Sequence, residues 1–223
     1  MILSEVEPYP LEFTHETMAV MIIDMQRDFL EEGGYGASLG NDVSLLRKII
    51  GPIKTVLRVA RDMNLLIIHT REGHEPDLSD APLSKLKRGQ IDPGIGQSGP
   101  MGRLLVRGEP GHEIIPELYP EGDEQVIDKP GKGAFFATEL DTLLSNKNIK
   151  TLVVCGVTTE VCVHTTVREA NDRGYECLVL EDCVSSYFPR FHSVGLEMIK
   201  AQGGIFGWVG SSKKFLDVLE KNY

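Results

Sequence analysis

Short apolar runs alternate with longer amphipathic stretches along this chain of 223 residues. The runs are rich in β-branched residues and lack polar alternation, which is typical of parallel strands that are buried on both faces. They lie at residues 19–24, 65–70, 125–128, 151–156, 176–181 and 205–209. The sequence therefore predicts six buried strands.

Helical periodicity fills most of the stretches between these runs. Residues 41–64 carry apolar side chains at three- and four-residue spacing, with Asn41 or Asp42 as a cap and Pro52 as a kink or a new start. Four further helices are predicted from Thr138, from near Glu160, over 192–202 and over 211–222. Since strands alternate with helices, we expect a Rossmann-like, three-layer α/β/α fold with a six-stranded, mostly parallel sheet between two layers of helices.

Residues 71–124 interrupt this alternation. They hold seven of the 12 prolines and show little periodicity. Long irregular insertions in compact domains are usually functional loops, lids or subunit contacts. Because no linker or internal repeat is found, we predict a single domain over 1–223 with a proline- and glycine-rich insertion at about 71–124.

Charge and cysteine usage narrow the classes of function. The chain has 23 Lys and Arg against 33 Asp and Glu, and this net charge of -10 argues against a nucleic-acid partner and, less strongly, against an anionic substrate. No apolar run approaches the ~18 residues of a membrane-spanning helix, and the acidic start MILSEVEPYPLEF lacks the features of a secretory signal. The four cysteines, without a CxxC pair, are Cys155, Cys162, Cys177 and Cys183. We therefore expect reduced thiols in a cytoplasmic protein without a membrane partner.

Three reactive side chains are predicted at neighbouring strand ends. Asp24 ends the first strand, Lys129 follows the third, and Cys162 lies in the first turn of the helix after the fourth. Ligands bind beyond the carboxyl ends of the strands in such sheets. The helix N-terminus favours a thiolate, the carboxylate can take the thiol proton and the lysine can offset the charge. Together the three residues indicate a nucleophilic thiol site.

Each of these residues also has a purely structural interpretation. An aspartate after a strand often caps a turn, a lysine is commonly solvated, and a free cysteine is commonly a small buried hydrophobe. Cys155, Cys177 and Cys183 fit that last interpretation. The three residue types at one sheet edge are much more specific than any one of them.

Three segments resemble the isochorismatase-like cysteine hydrolases, and these are AVMIIDMQRDF, IDKPGKGAFFATEL and VVCGVTTEVCVHTTVREANDRGYECLVLEDC. The family comprises α/β amidohydrolases that include nicotinamidases, N-carbamoylsarcosine amidase, ureidoacrylate hydrolase and biuret hydrolase. The resemblance covers nearly the whole chain and implies a catalytic triad of Asp24, Lys129 and Cys162. It also implies a cis peptide bond between Val157 and Thr158, and an oxyanion hole formed by the backbone N–H groups of Thr158 and Cys162.

Within this family, the segments HTREGHEPDL, RGEPGHEIIPELYPEGD and AQGG are most similar to the biuret hydrolases. That resemblance implies a set of substrate-binding residues, namely Phe29, Lys132, Val157, Thr158 and Gln202. Gln202 can donate and accept hydrogen bonds and Lys132 can donate to a carbonyl, which suits a small neutral amide. The alternatives are a solvated Lys132 and a Gln202 that only ends a helix before a Gly-Gly turn.

The expected function is hydrolysis of biuret to allophanate and ammonia through a thioester on Cys162. The alternative substrates are triuret, ureidoacrylate, an N-carbamoyl amino acid and nicotinamide. An alternative of another class is a catalytically silent binding or scaffolding member of the fold. The resemblance further implies a homo-oligomer, specifically a tetramer.

A metal centre is not expected, and neither is any other cofactor. Nicotinamidases commonly bind a metal through an Asp-x-His motif and further histidines, whereas the similar place here reads Glu72-Gly73-His74, with no other histidine until His112. Two ligands are too few for a metal site. We therefore expect Glu72 and His74 to form a hydrogen-bonded rim.

Overall fold

The computed structural model describes residues 1–222, apart from the side chains of Gln90 and Asn222. All six predicted runs form strands, with boundaries that differ by a few residues. The strands in chain order are β1 (Ile2–Leu3), β2 (Leu11–Glu12), β3 (Met18–Ile23), β4 (Leu66–Glu72), β5 (Ser98–Gly99), β6 (Gly102–Arg103), β7 (Gln125–Lys129), β8 (Thr151–Val157), β9 (Glu176–Ser185) and β10 (Trp208–Gly210).

One six-stranded sheet organises the molecule. Its strand order is β10-β9-β8-β3-β4-β7, and every neighbouring pair is parallel. The sheet is thus entirely parallel. The two other strand pairs, β1 with β2 and β5 with β6, are short and antiparallel.

The α-helices in chain order are α1 (Arg27–Leu30), α2 (Tyr35–Ser38), α3 (Ser44–Arg47), α4 (Ile50–Asp62), α5 (Leu83–Leu86), α6 (Leu140–Asn146), α7 (His164–Asp172), α8 (Pro189–Gly204) and α9 (Ser212–Asn222). Short 3-10 turns cover His15–Thr17, Arg88–Gln90, Pro110–His112 and Pro116–Leu118, and a π-helical turn covers Thr159–Val163. Pro52 lies in the first turn of α4, where its missing N–H is not needed. The predicted new start at this proline is therefore found.

Each face of the sheet packs against its own helices. Val20 and Ile22 of β3 point to one face and pack in a core with residues of α4 and α9. Ala19, Met21 and Ile23 point to the other face, where they pack with residues of α6, α7 and α8. Because side chains alternate along a strand, the apolar run of β3 serves both cores. This arrangement is the predicted three-layer α/β/α fold.

The insertion begins at Gly73, because β4 extends to Glu72. Residues 73–124 form hydrogen bonds with the segment that follows β3. Buried Gln26 donates from Nε2 to the carbonyl oxygens of Glu72 and His112 at 2.9 and 3.0 Å and accepts the Glu72 N–H at 2.7 Å. The insertion is thereby fixed beside the carboxyl end of the sheet.

Candidate active site

The first two residues of the predicted triad form a buried ion pair. Asp24 follows β3, and its Oδ1 accepts the hydroxyl of Thr70 at 2.6 Å. Lys129, at the end of β7, places its Nζ 2.8 Å from Oδ2 of Asp24. Since β7 and β3 are separated by β4, the long lysine side chain crosses the end of that strand. Both side chains are fully buried.

Cys162 meets this pair from the opposite side. It lies in the π-helical turn between β8 and α7, and its side chain is buried. Its Sγ, one carboxylate oxygen of Asp24 and one of Glu72 all lie within 4.8 Å of one another. The structure thus brings the predicted Asp24, Lys129 and Cys162 together at one sheet edge. The cis peptide bond implied by the family resemblance is present between Val157 and Thr158.

Glu72 occupies a different place from the predicted rim. It is buried beside the sulfur, and the Cys162 thiol donates to its Oε2 at 3.3 Å. Its Oε1 accepts hydrogen bonds from Lys132 at 2.6 Å and from Lys85 at 2.8 Å. The Lys129 ammonium lies 3.9 Å from Oε2. Glu72 therefore belongs to the reactive centre, and neither motif nor periodicity assigned it there.

The charges around Glu72 decide its ionisation. Burial by itself would raise the pKa of this carboxyl, but Lys129, Lys132 and Lys85 outweigh burial and hold the pKa well below its usual range. Burial likewise opposes the charge of Lys129, yet the carboxylates of Asp24 and Glu72 hold the pKa of its ammonium above the usual value. Both groups are thus charged at neutral pH.

The thiol behaves differently from the expectation based on the helix N-terminus. Burial raises the pKa of the Cys162 thiol well above its usual value; Lys129 acts in the opposite direction, and Asp24 and Glu72 add to the rise. The resting site therefore holds a protonated thiol, whose proton the predicted mechanism passes to Asp24. A base must take this proton when the sulfur attacks.

A metal bound through Glu72 and His74 does not fit these contacts. Two ammonium groups already occupy Oε1 of Glu72, and Nδ1 of His74 pairs with Oδ1 of Asp80 at 3.1 Å. A divalent cation would have to displace lysines that compensate the same carboxylate. Oε1 of Glu72 and Nδ1 of His74 are thus engaged by other side chains, and the absence of a metal centre stays a prediction.

A cavity of about 280 Å³ opens onto Cys162. Four residues predicted to bind substrate line it, and these are Phe29, Lys132, Val157 and Thr158. The lining also includes residues that the sequence analysis did not select, among them Tyr35, Leu39, Asn41, Glu160, Tyr187 and Phe188. The Tyr187 hydroxyl donates to the carbonyl oxygen of Phe29 at 2.7 Å, which joins two walls of the cavity.

Gln202 is placed away from this cavity. It is exposed near the end of α8, with a positive φ of 52° followed by Gly203 at 78° and Gly204 at 80°. This is the alternative interpretation of a polar residue before a Gly-Gly turn. The structure does not bring Gln202 to the reactive centre, and its role in substrate binding stays a prediction.

Comparisons with known proteins agree with the fold and show the family. A family model described as the isochorismatase domain matches residues 18–213. The ureidoacrylate amidohydrolase RutB of Cronobacter turicensis is 32% identical over 95% of this chain and 92% of its own length. A cysteine hydrolase from Pseudomonas syringae pv. phaseolicola superimposes with a TM-score of 0.82 at 26% identity, covering 98% of each chain. An isochorismatase family protein from Desulfovibrio vulgaris superimposes with a TM-score of 0.75 at 29% identity, covering 92% of this chain and 98% of its own.

Within residues 1–222, no helix combines the length and the apolar character that a membrane span requires.

Proposed function

Because this chain belongs to the isochorismatase family and is an amidohydrolase, we propose that it hydrolyses the terminal amide of a small ureido compound with Cys162 as the nucleophile. The observation that carries the proposal is the meeting of Asp24, Lys129 and Cys162 beneath one cavity. Ureidoacrylate is the first substrate to test, since the relative from Cronobacter turicensis is named for its hydrolysis.

The reaction begins when the Cys162 sulfur attacks the ureido carbonyl carbon and its proton passes to Asp24. Glu72 accepts the resting thiol hydrogen bond, but it is a poor base because three lysines hold its pKa low. Lys129 keeps Asp24 in place and offsets the negative charge. The backbone N–H groups of Thr158 and Cys162 bind the oxyanion of the tetrahedral intermediate.

Collapse of this intermediate breaks the C–N bond, and the leaving nitrogen takes the proton from Asp24. A thioester of Cys162 remains. Water activated by Asp24 then adds to the thioester, the C–S bond breaks, and the sulfur recovers a proton as the acid leaves. Ammonia is released either directly or from the resulting carbamate, so ammonia reports turnover for every candidate.

Biuret is the second candidate, and the charges of the cavity favour it. The charged residues among those that line the cavity are Glu72, Glu160 and Lys132. Lys132 is already paired with Glu72 at 2.6 Å. The described lining therefore offers no unpaired cation to a substrate carboxylate, which ureidoacrylate has and biuret lacks.

The test is ammonia release by EDTA-treated protein that is offered ureidoacrylate, biuret, triuret, N-carbamoylsarcosine and nicotinamide in parallel. We expect turnover of a ureido compound, and a loss of at least about 1,000-fold in kcat for Cys162→Ala. Cys177→Ala is the matched control, because this buried cysteine lies within β9, and it should keep wild-type kcat.

Two results would contradict the proposal. One is wild-type turnover by Cys162→Ala. The other is activity on nicotinamide alone that appears only after zinc or manganese is added back.

A further inference from the structure

We propose that Lys85, which the insertion contributes, is a positioning residue that acts through Glu72 to support ionisation of Cys162. The inference rests on the proposed role of Cys162 as the nucleophile. It gives the insertion a part in the chemistry that no motif in the sequence indicates.

The contacts of Lys85 connect the insertion to two parts of the reactive centre. Lys85 belongs to α5, and its side chain is 16% exposed. Its Nζ donates to Oε1 of Glu72 at 2.8 Å and to the carbonyl oxygen of Pro130 at 2.7 Å. Pro130 follows Lys129 directly. One ammonium group thus holds both the carboxylate that accepts the thiol hydrogen bond and the chain next to the catalytic lysine.

The balance of charge gives this ammonium its role. The carboxylates of Asp24 and Glu72 face the ammonium groups of Lys129, Lys132 and Lys85. When the thiol is neutral, these five charged side chains have a net charge of +1, which a thiolate would balance. Without Lys85 their net charge is zero, so a thiolate would add an uncompensated negative charge at a buried site.

Glu72 transmits the effect to the sulfur. Its negative charge opposes ionisation of Cys162, and its ion pair with Lys85 offsets that charge. Lys129 and Lys132 still contact Glu72 when Lys85 is removed, so the carboxylate stays ionised. Removal of Lys85 therefore takes away a positive charge without neutralising the carboxylate.

Other titratable groups also face the sulfur or line the cavity next to it, and they come from several elements. They are Asp24 after β3, Glu72 in β4, Lys129 in β7, Lys132 in the following loop, Tyr35 in α2, Glu160 before Cys162 and Tyr187 after β9. All of these side chains are the same in wild type, Lys85→Met and Lys85→Arg, so the comparison of these three proteins isolates the charge of Lys85.

The experiment measures the rate at which iodoacetamide alkylates Cys162, identified by peptide mass spectrometry, as a function of pH. Lys85→Met keeps the length of the side chain and removes its charge. We expect its alkylation profile to move to higher pH by about one unit, with about tenfold slower alkylation at a fixed neutral pH. Lys85→Arg keeps the charge and should stay within about twofold of wild type.

Lys87→Met is the matched control, because Lys87 is exposed directly after α5. It should leave the alkylation profile unchanged. An unshifted profile in folded Lys85→Met would overturn the proposal. So would a shift of the same size in Lys87→Met.

A double-variant comparison tests the part that Glu72 plays. Glu72→Gln removes the carboxylate whose charge Lys85 offsets and leaves only the direct effect of the Lys85 charge on the sulfur, so Lys85→Met should shift the profile less in the Glu72→Gln background than in wild type. A shift at least as large in the Glu72→Gln background would show that Lys85 acts without Glu72 and would refute the inference. Lys85→Gln takes the place of Lys85→Met where the latter does not fold. Because alkylation needs no substrate, a protein that shows the Lys85 effect yet hydrolyses no ureido compound would contradict only the proposed function.

Discussion

The ammonium group of Lys129 is engaged inside the protein. Its Nζ donates to the carbonyl oxygens of Gly131 at 3.0 Å and Lys132 at 2.9 Å, and it pairs with Oδ2 of Asp24 at 2.8 Å. Lys129 is fully buried and is not among the described residues that line the cavity. Lys129 thus acts on the reaction by fixing Asp24 and by its charge, and the substrate contact falls to other residues.

His112 is also a buried titratable residue, and it makes the free energy of unfolding depend on pH. Both of its ring nitrogens lack a hydrogen-bond partner among residues 1–222, and its Nε2 lies 3.7 Å from Asp128. Burial lowers the pKa of His112 to about 4, against an ordinary value of 6.5. Between these two values the unfolded chain binds a proton that the folded protein does not. Stability therefore falls as the pH drops from 6.5 towards 4, by up to about 1.4 kcal/mol per pH unit.

We predict that His112→Phe makes this dependence shallower, because phenylalanine fills the ring site without titrating. The measurement is the free energy of unfolding in urea at several values between pH 4 and pH 7. His15→Phe is the control, since the His15 side chain is 42% exposed, and its slope should match that of wild type. If the free energy of unfolding changed equally with pH in His112→Phe and in wild type, another titrating group would be the source of the pH dependence.

At the scale of single residues, the sequence identifies some residues of the site and misses others. Asp24, Lys129 and Cys162 could be predicted because parallel strands bring their carboxyl ends to one edge, wherever the loops run. Glu72 also ends such a strand, but its role depends on Lys85. The path that brings Lys85 to it crosses an irregular insertion, in which no periodicity encodes which residues meet.

At the scale of elements, β3 and β8 approach each other too closely for a side chain at one position. Gly156 pairs with Ile23, has a φ of 114°, and a Cβ added to it would lie 2.1 Å from the Ile23 carbonyl oxygen. Asp24 follows Ile23, and the turn that carries Cys162 begins three residues after Gly156. This close pairing therefore sets the distance between the base and the nucleophile.

We predict that Gly156→Ala lowers the free energy of unfolding by about 3 kcal/mol or more, because the strands must separate and the residue must adopt a left-handed conformation. Gly51→Ala is the control. This position in α4 has open space around it, and alanine there should leave stability unchanged or raise it by up to about 1 kcal/mol. Chemical denaturation of both variants checks the prediction, and wild-type stability of Gly156→Ala would refute it.

Element boundaries explain a further site residue that the sequence analysis missed. The fifth apolar run was predicted to end at residue 181, yet β9 continues to Ser185 after a register shift against β8 between Val154 and Gly156. The polar residues Glu181 and Asp182 hide this continuation. With β9 ending at Ser185, Tyr187 lies just beyond a strand end, which is where ligands bind in such sheets.

For the whole molecule, the exposed apolar surface of α8 and its flanks is the feature that a single chain does not explain. Phe188, Phe191, Val194, Met198 and Ile205 are each between 38% and 50% exposed. Phe191, Val194 and Met198 recur at spacings of three and four residues within α8, which puts them on one side of the helix. Phe188 directly precedes α8, and its ring lies 5.0 Å from that of Phe191. Monomeric proteins rarely expose large contiguous apolar patches. The homo-oligomer expected from the sequence would cover this surface, and the tetramer stays a prediction.

We predict that Phe191→Glu and Met198→Glu each lower the molecular mass measured by sedimentation equilibrium, because a buried carboxylate opposes association of this surface. These two residues are chosen because Phe188 also lines the catalytic cavity, where a substitution would mix assembly with substrate binding. Ile2→Glu is the control: Ile2 is 55% exposed but lies in β1, outside α8, and the mass should not change. A wild-type protein that sediments as a monomer, or variants that keep the wild-type mass, would show that this apolar surface does not hold copies of the chain together.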